Sequence, residues 1–222
     1  MSLFSVIRSG DVVTAILMIL SRAFVVFLCL PVHEFSHGYA AYKMGDNTAK
    51  NLGRLTLNPF AHLNPIGTIM IFLFGIGYAQ PVPINPRNFK NFKKGMALTA
   101  FAGPLSNVAM AFIFGFLYGL SIFIFKNSLV AAYIAIFFLY AAQINAMLAV
   151  FNLLPIPPLD GSRILGVVLK GRAYDLYYRY ERYIMLALLA LLFFGLLNTP
   201  ITFLTDLLMK IVLFIPNLIF GL

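Results

Sequence analysis

Charge is what this sequence lacks most. Only 10% of its 222 residues are Asp, Glu, Lys or Arg, while 61% are apolar and the mean hydropathy is +0.91; a soluble domain is about a quarter charged. No polar stretch is long enough for a separate soluble domain, and no internal repeat or low-complexity tract is present. A single membrane-embedded domain over 1–222 is therefore expected, with a core at about 23–165 and a C-terminal helical hairpin at about 174–222. Cysteine is nearly absent, and Cys29 alone excludes an intrachain disulfide. No small-residue cleavage site follows a short apolar run near the N-terminus, so residues 11–45 are expected to be mature structure. The net charge is +9, but the Lys and Arg lie in loops between apolar blocks. That pattern reads as orientation in a bilayer and contact with anionic lipid, and nucleic acid is not an expected partner.

What is present is a series of apolar blocks, and a span needs about 20 such residues. Val12 to Met44, interrupted at Ser21-Arg22, is too long for one straight crossing. Met96–Phe125, Leu129–Leu154 and Ile201–Phe220 are clearer, and Tyr183–Leu197 could be extended from Tyr174 through a tyrosine-rich interfacial zone. The expected fold is all-α and polytopic, with about five to six transmembrane helices. Residues 66–79 are apolar but too short to span, and prolines crowd both flanks. Arg54-Leu55-Thr56-Leu57 alternates like a short strand. A re-entrant region of strands and loops is thus expected between the first two core helices, at 52–88, packed against protein or a wet cavity.

Inside the first apolar block stands His33-Glu34-Phe35-Ser36-His37. On a helix, residues four apart share a face, so both imidazoles can reach one metal ion, with Glu34 close enough to act on a metal-activated water. Ionisable groups in lipid mark function by default. A catalytic zinc usually takes three protein ligands. His62 and the seven acidic residues are the remaining pool, and four of those acids have plainer explanations. Asp46, Asp175 and Glu181 read as solvated loop charges, and Asp206 has Lys210 four residues on for an ion pair. Glu181 as third ligand would make a different zinc class. Asp160 differs, because it follows an apolar span in Asn152-Leu-Leu-Pro155-Ile-Pro157-Pro158-Leu-Asp160-Gly161, where three prolines break the helix.

Topology tests Asp160. The histidines lie toward the C-terminal end of one span and Asp160 just past the C-terminal end of another. They meet only if both helices run the same way, which requires 66–79 to dip rather than cross. Seven basic residues from Lys43 to Lys94 and five from Arg163 to Arg182 then face one side, with Lys126 and Arg8 on the other. That side is expected to be the cytoplasm.

With these pieces together the chain resembles the site-2 protease family of intramembrane zinc metalloproteases. The resemblance rests on His33-Glu-Phe-Ser-His37, Ala102-Gly-Pro-Leu-Ser-Asn107 and Asn152 through Asp160-Gly161, in that order. It implies one Zn2+ per chain held by His33, His37 and Asp160, with Glu34 as catalytic base. It also implies hydrolysis of peptide bonds in transmembrane or membrane-anchored substrates, in a multi-pass protein of the cell membrane with its active site nearer the cytoplasm. Leu55, Thr56 and Leu57, with Pro81 to Pro86, look like the family's membrane-associated strands and could hold an extended substrate. No room is seen for the PDZ or CBS domains of some members. Asn107 and Asn152 could support the site or the substrate carbonyl, or simply join helices. His62 is expected in a loop and Cys29 as packing. Gly115-Phe-Leu-Tyr-Gly119 suggests close helix packing, with a dimer as a weaker possibility. The competing reading is a non-proteolytic metal-binding scaffold or transporter.

Overall fold

Helices form here because apolar residues run without interruption and backbone polar groups in lipid must be satisfied within their own segment. The structure is a computed structural model that describes residues 3–74, 79–125 and 128–221. Its α-helices among the described residues are α1 (Leu3–Arg8), α2 (Val12–Phe24), α3 (Leu30–Lys43), α4 (Thr48–Asn51), α5 (Pro65–Phe74), α6 (Phe92–Ile124), α7 (Leu129–Leu153), α8 (Asp160–Val168), α9 (Arg172–Arg179), α10 (Glu181–Phe193) and α11 (Asn198–Phe220). α2 and α3 are one continuous rod joined by a wide π-type turn at Val25–Cys29, where Leu30 N–H donates to the Val25 carbonyl. Pro31 explains the turn. It has no N–H for the preceding turn and its ring crowds the carbonyl four residues back, so the helix widens there.

Four helices among the described residues are long and apolar enough to cross a membrane: Val12–Lys43, α6, α7 and α11. Five to six are expected from the sequence, and the difference lies in residues 174–197, which break at Tyr180 into the eight-residue α9 and the thirteen-residue α10. The four long helices share a core in which Val25, Cys29, Phe114 and Val212 pack among the alanines Ala111, Ala141, Ala142 and Ala146. Small residues let helices approach closely where lipid supplies no hydrophobic drive. A Cβ at Gly115 would fall 2.5 Å from Val212, and one at Gly119 2.7 Å from Pro216. The G-x-x-x-G face is therefore filled by α11 of the same chain.

Two expectations are corrected. No strand forms among the described residues: 55–58 and 81–85 carry no ladder, because alternation is a local signal and a ladder needs a partner. Asp46 is not solvated. It is fully buried, its carboxylate accepting from Thr48 N (3.0 Å), Asn88 Nδ2 (2.8 Å) and Asn85 N (2.7 Å). Burial alone raises this carboxyl, but those hydrogen bonds outweigh it and hold it below the usual carboxylate range. Lys90 N–H also donates to the Met44 carbonyl at 3.1 Å, so residues 44–91 begin and end side by side. Residues 75–78 and Lys126 lie outside the described residues.

Candidate metal centre

The centre is built from two elements that the sequence places 123 residues apart (160 − 37 = 123). α3 carries His33 and His37 one turn apart, with both rings buried. α7 ends at Leu153, the prolines at 155, 157 and 158 prevent its continuation, and α8 starts afresh with Asp160 as its first residue. Gly161 lets this happen, since a Cβ there would lie 2.2 Å from the Leu153 carbonyl oxygen. α8 is thus pressed against the end of α7, which aims Asp160 at α3.

The three candidate ligand atoms form a nearly equilateral triangle. His33 Nε2 and His37 Nε2 are 3.0 Å apart, and Asp160 Oδ2 is 3.3 Å and 3.2 Å from them. A tetrahedral ion with bonds of about 2.0–2.1 Å sets its ligands about 3.3 Å apart. These residues are the one His/Cys/Asp/Glu group among the described residues that could hold a metal. His37 Nδ1 lies 2.7 Å from the Thr99 carbonyl. A carbonyl only accepts, so Nδ1 carries the proton and Nε2 keeps its lone pair for a metal. His33 Nδ1 is buried without a protein partner. Gly103 on α6 makes room for both rings: a Cβ there would fall 2.2 Å from His37 Nε2 and 2.7 Å from His33 Cε1.

The triangle faces a cavity of about 340 Å³ that Glu34, Asn107, Asn152 and Arg163 also line. Glu34 is buried, and its Oε2 accepts from Val82 N–H at 3.0 Å. Val82 belongs to a strap, residues 79–85, fastened at both ends. Arg54 Nη2 donates to the Gln80 and Pro81 carbonyls (2.9 and 3.3 Å), and Asp46 takes Asn85 N–H. A second cavity of about 460 Å³ lies against Pro81, Val82, Pro83 and Ile84 as well.

The structure thus brings His33, Glu34, His37, Asp160, Asn107 and Asn152 to one cavity. Asn107 Oδ1 is buried and unpartnered, while Asn152 Nδ2 donates to the Leu148 carbonyl at 3.0 Å. Leu55, Thr56 and Leu57 are not among the cavity's walls. Thr56 instead offers its carbonyl to the buried His62 (Nε2···O 2.8 Å), which ties that loop together. Cys29 is packed in the core with its Sγ 3.4 Å from Asn145 Nδ2. Sequence reasoning misses Gly103, Val82 and the Thr99 carbonyl as parts of the centre. Gly103 stands in a recognised motif, whose Gly-Pro pair signals close backbone approach. The other two act through backbone atoms, which side-chain patterns do not report.

Comparison with known proteins agrees with this chemistry. A model for peptidase family M50 matches residues 119–195, a stretch holding Asp160 but not His33 or His37. Several curated relatives carry names of the form "Putative zinc metalloprotease". YwhC of Bacillus subtilis is 47% identical over 137 residues, 60% of this chain and 62% of its own length. Rip2 of Mycolicibacterium smegmatis is 32% identical over 139 residues (60% and 51%), and MJ0611 of Methanocaldococcus jannaschii 37% over 100 residues (45% and 49%). The chain spans about half to three-fifths of the length of these relatives. No solved structure matches.

Proposed function

We propose that this chain, a member of the M50 or site-2 protease family, is an intramembrane zinc endopeptidase that cleaves transmembrane or membrane-anchored proteins. The observation that carries the reading is the 3.0, 3.2 and 3.3 Å triangle of two imidazole nitrogens and a carboxylate oxygen beside a buried glutamate. His33, His37 and Asp160 would hold one zinc. Bound there, the ion would polarise a scissile carbonyl and bring the pKa of water toward 7.

Glu34 does the proton work. It accepts the proton of the attacking water and returns it to the leaving amine. Val82 N–H, as donor to Oε2, fixes the carboxylate's orientation. Asn107 offers an amide without a partner for Oδ1 at the cavity wall, suited to the substrate's own N–H groups. A transmembrane helix hides its peptide bonds, so the substrate must enter locally unwound. The strap at 79–85, rather than 55–57, is the backbone beside which it would extend.

The joined ends of residues 44–91 support a dip of α5 into the membrane and back. The ten described residues of α5 reach about 15 Å, half a hydrocarbon core. α3 and α7 would then run in the same direction, and the basic segments flanking the centre support a position nearer the cytoplasm.

Glu34→Gln tests the assignment. It should abolish cleavage while the purified protein keeps its zinc, because Glu34 is not a ligand. Membrane proteomes of cells with active and Glu34→Gln protein should differ in accumulated substrates. Loss of zinc from the variant would overturn the role given to Glu34.

A further inference from the structure

Away from the metal centre, the turn that carries Asp160 has a second face. Pro157 and Pro158 form one wall of a recess of about 340 Å³ whose other walls come from the α9–α10 junction. Tyr178, Arg179 and Arg182 line it, with Glu181 between them in sequence. Both arginines are exposed, and neither guanidinium has an ion pair or hydrogen bond among the described residues. Asp175 stands four residues before Arg179, the spacing for a helical pair, yet no pair forms. The recess therefore holds two unengaged cations and one carboxylate.

Its apolar continuation is equally specific. From Arg182 the exposed side chains Leu186, Leu189 and Phe193 follow at steps of four, three and four, one stripe of α10. Met185, on the same helix, also lines the recess. A charged pocket thus opens directly onto an apolar stripe, and the exposed Tyr174, Tyr180 and Tyr183 surround the junction. Tyrosines of this kind sit at headgroup level.

We propose that this recess binds an anionic phospholipid whose headgroup carries a phosphodiester and free hydroxyls, as phosphatidylglycerol does. Arg179 and Arg182 take the phosphate oxygens in charge-assisted, forked hydrogen bonds. Glu181 accepts from the headgroup hydroxyls. One acyl chain lies along Leu186, Leu189 and Phe193. The site is independent of the reaction catalysed, but it abuts the turn that sets the position of Asp160.

The test uses the full chain, purified in detergent, stripped of lipid, and offered dioleoyl phosphatidylglycerol, dioleoyl phosphatidylcholine or inorganic phosphate. Bound species are read from the mass of the intact complex. Phosphatidylglycerol should bind saturably, phosphatidylcholine should not, and equimolar phosphate should not displace the lipid. Arg179→Gln/Arg182→Gln should weaken binding at least about tenfold, whereas Lys93→Gln/Lys94→Gln, an equal charge loss elsewhere, should not. Because both arginines are exposed, the double variant keeps its fold, which its unchanged thermal melt would record. Wild-type affinity in the arginine variant, an equal loss in the lysine variant, or displacement by free phosphate would each overturn the proposal.

Discussion

Replacing Gly103 by alanine separates the metal centre from the fold more sharply than removing a ligand does. The added Cβ would stand 2.2 Å from His37 Nε2, where ordinary contact begins at 3.4 Å, so the ring must retreat by about 1.2 Å (3.4 − 2.2). The same atom would lie 2.7 Å from His33 Cε1, so both candidate ligands are displaced at once. Metal bonds tolerate deviations of about 0.2 Å. A shift six times larger opens the triangle beyond what one tetrahedral ion can close. Stability moves little by comparison. Overpacking costs roughly 1–3 kcal/mol, and alanine returns about 1 kcal/mol of helix propensity in the middle of α6. Gly103→Ala should therefore melt within a few degrees of wild type and yet lose zinc affinity by about 10- to 100-fold or more, the range for disturbing the support of a metal ligand. Zinc per chain, measured by elemental mass spectrometry after dialysis against a graded series of chelators, reads this directly. Leu105→Ala, at an exposed position two residues on, is the control and should keep its metal. Full zinc occupancy in Gly103→Ala, at chelator strengths that leave wild type loaded, would mean that the ring positions are not what holds the ion.

Three further outcomes follow from the same geometry. Asp160→Asn should lose zinc by removing the anionic corner of the triangle, while Asp206→Asn should retain it; the reverse result would discard the assigned ligand set. The Asp46 carboxyl is lower in the folded chain than in the unfolded one, so its stabilising contribution is present above the unfolded value of about 3.9 and is lost as pH falls through the folded value. Melting curves taken between neutral pH and pH 3 should show wild type losing more stability than Asp46→Asn, and parallel curves would deny the carboxylate that role. With Cys29→Ala as background, Lys50→Cys and Asn91→Cys should both label from the cytoplasmic side with an impermeant thiol reagent. Labelling from opposite sides would contradict a dipping α5.

The parts of the molecule written in local spacing are legible in the sequence. The four-residue interval of His33 and His37 encodes a shared helix face, and the prolines at 155, 157 and 158 encode a helix end with Asp160 just beyond it. What stays hidden there depends on partners far along the chain. Asp46 looks like any loop acid until Asn85 and Asn88 arrive from some forty residues away (85 − 46 = 39; 88 − 46 = 42). The alternation at 54–57 suggests a strand, but no second strand among the described residues comes to pair with it. Tyr174 to Leu197 looks long enough to cross the membrane, and a backbone turn at Tyr180, with no proline or glycine to announce it, divides the segment. Gly115 and Gly119 advertise a helix contact without naming the helix, and α11 is the one that fills it.

The wide turn at Val25–Cys29 has a consequence for phase. Val25, Cys29, His33, His37 and Ala41 recur every fourth residue and all are buried. In a uniform α-helix each such step overshoots a full revolution by about 40°, so four steps would carry the last residue about 160° round from the first. A turn closed five residues back rotates less per residue and takes back part of that drift. Pro31 thus works as an angular clutch. The α2 half of the rod and the α3 half each keep their own phase, and a one-residue deletion within 25–29 would rotate one half against the other while leaving every side chain in the sequence of the centre intact.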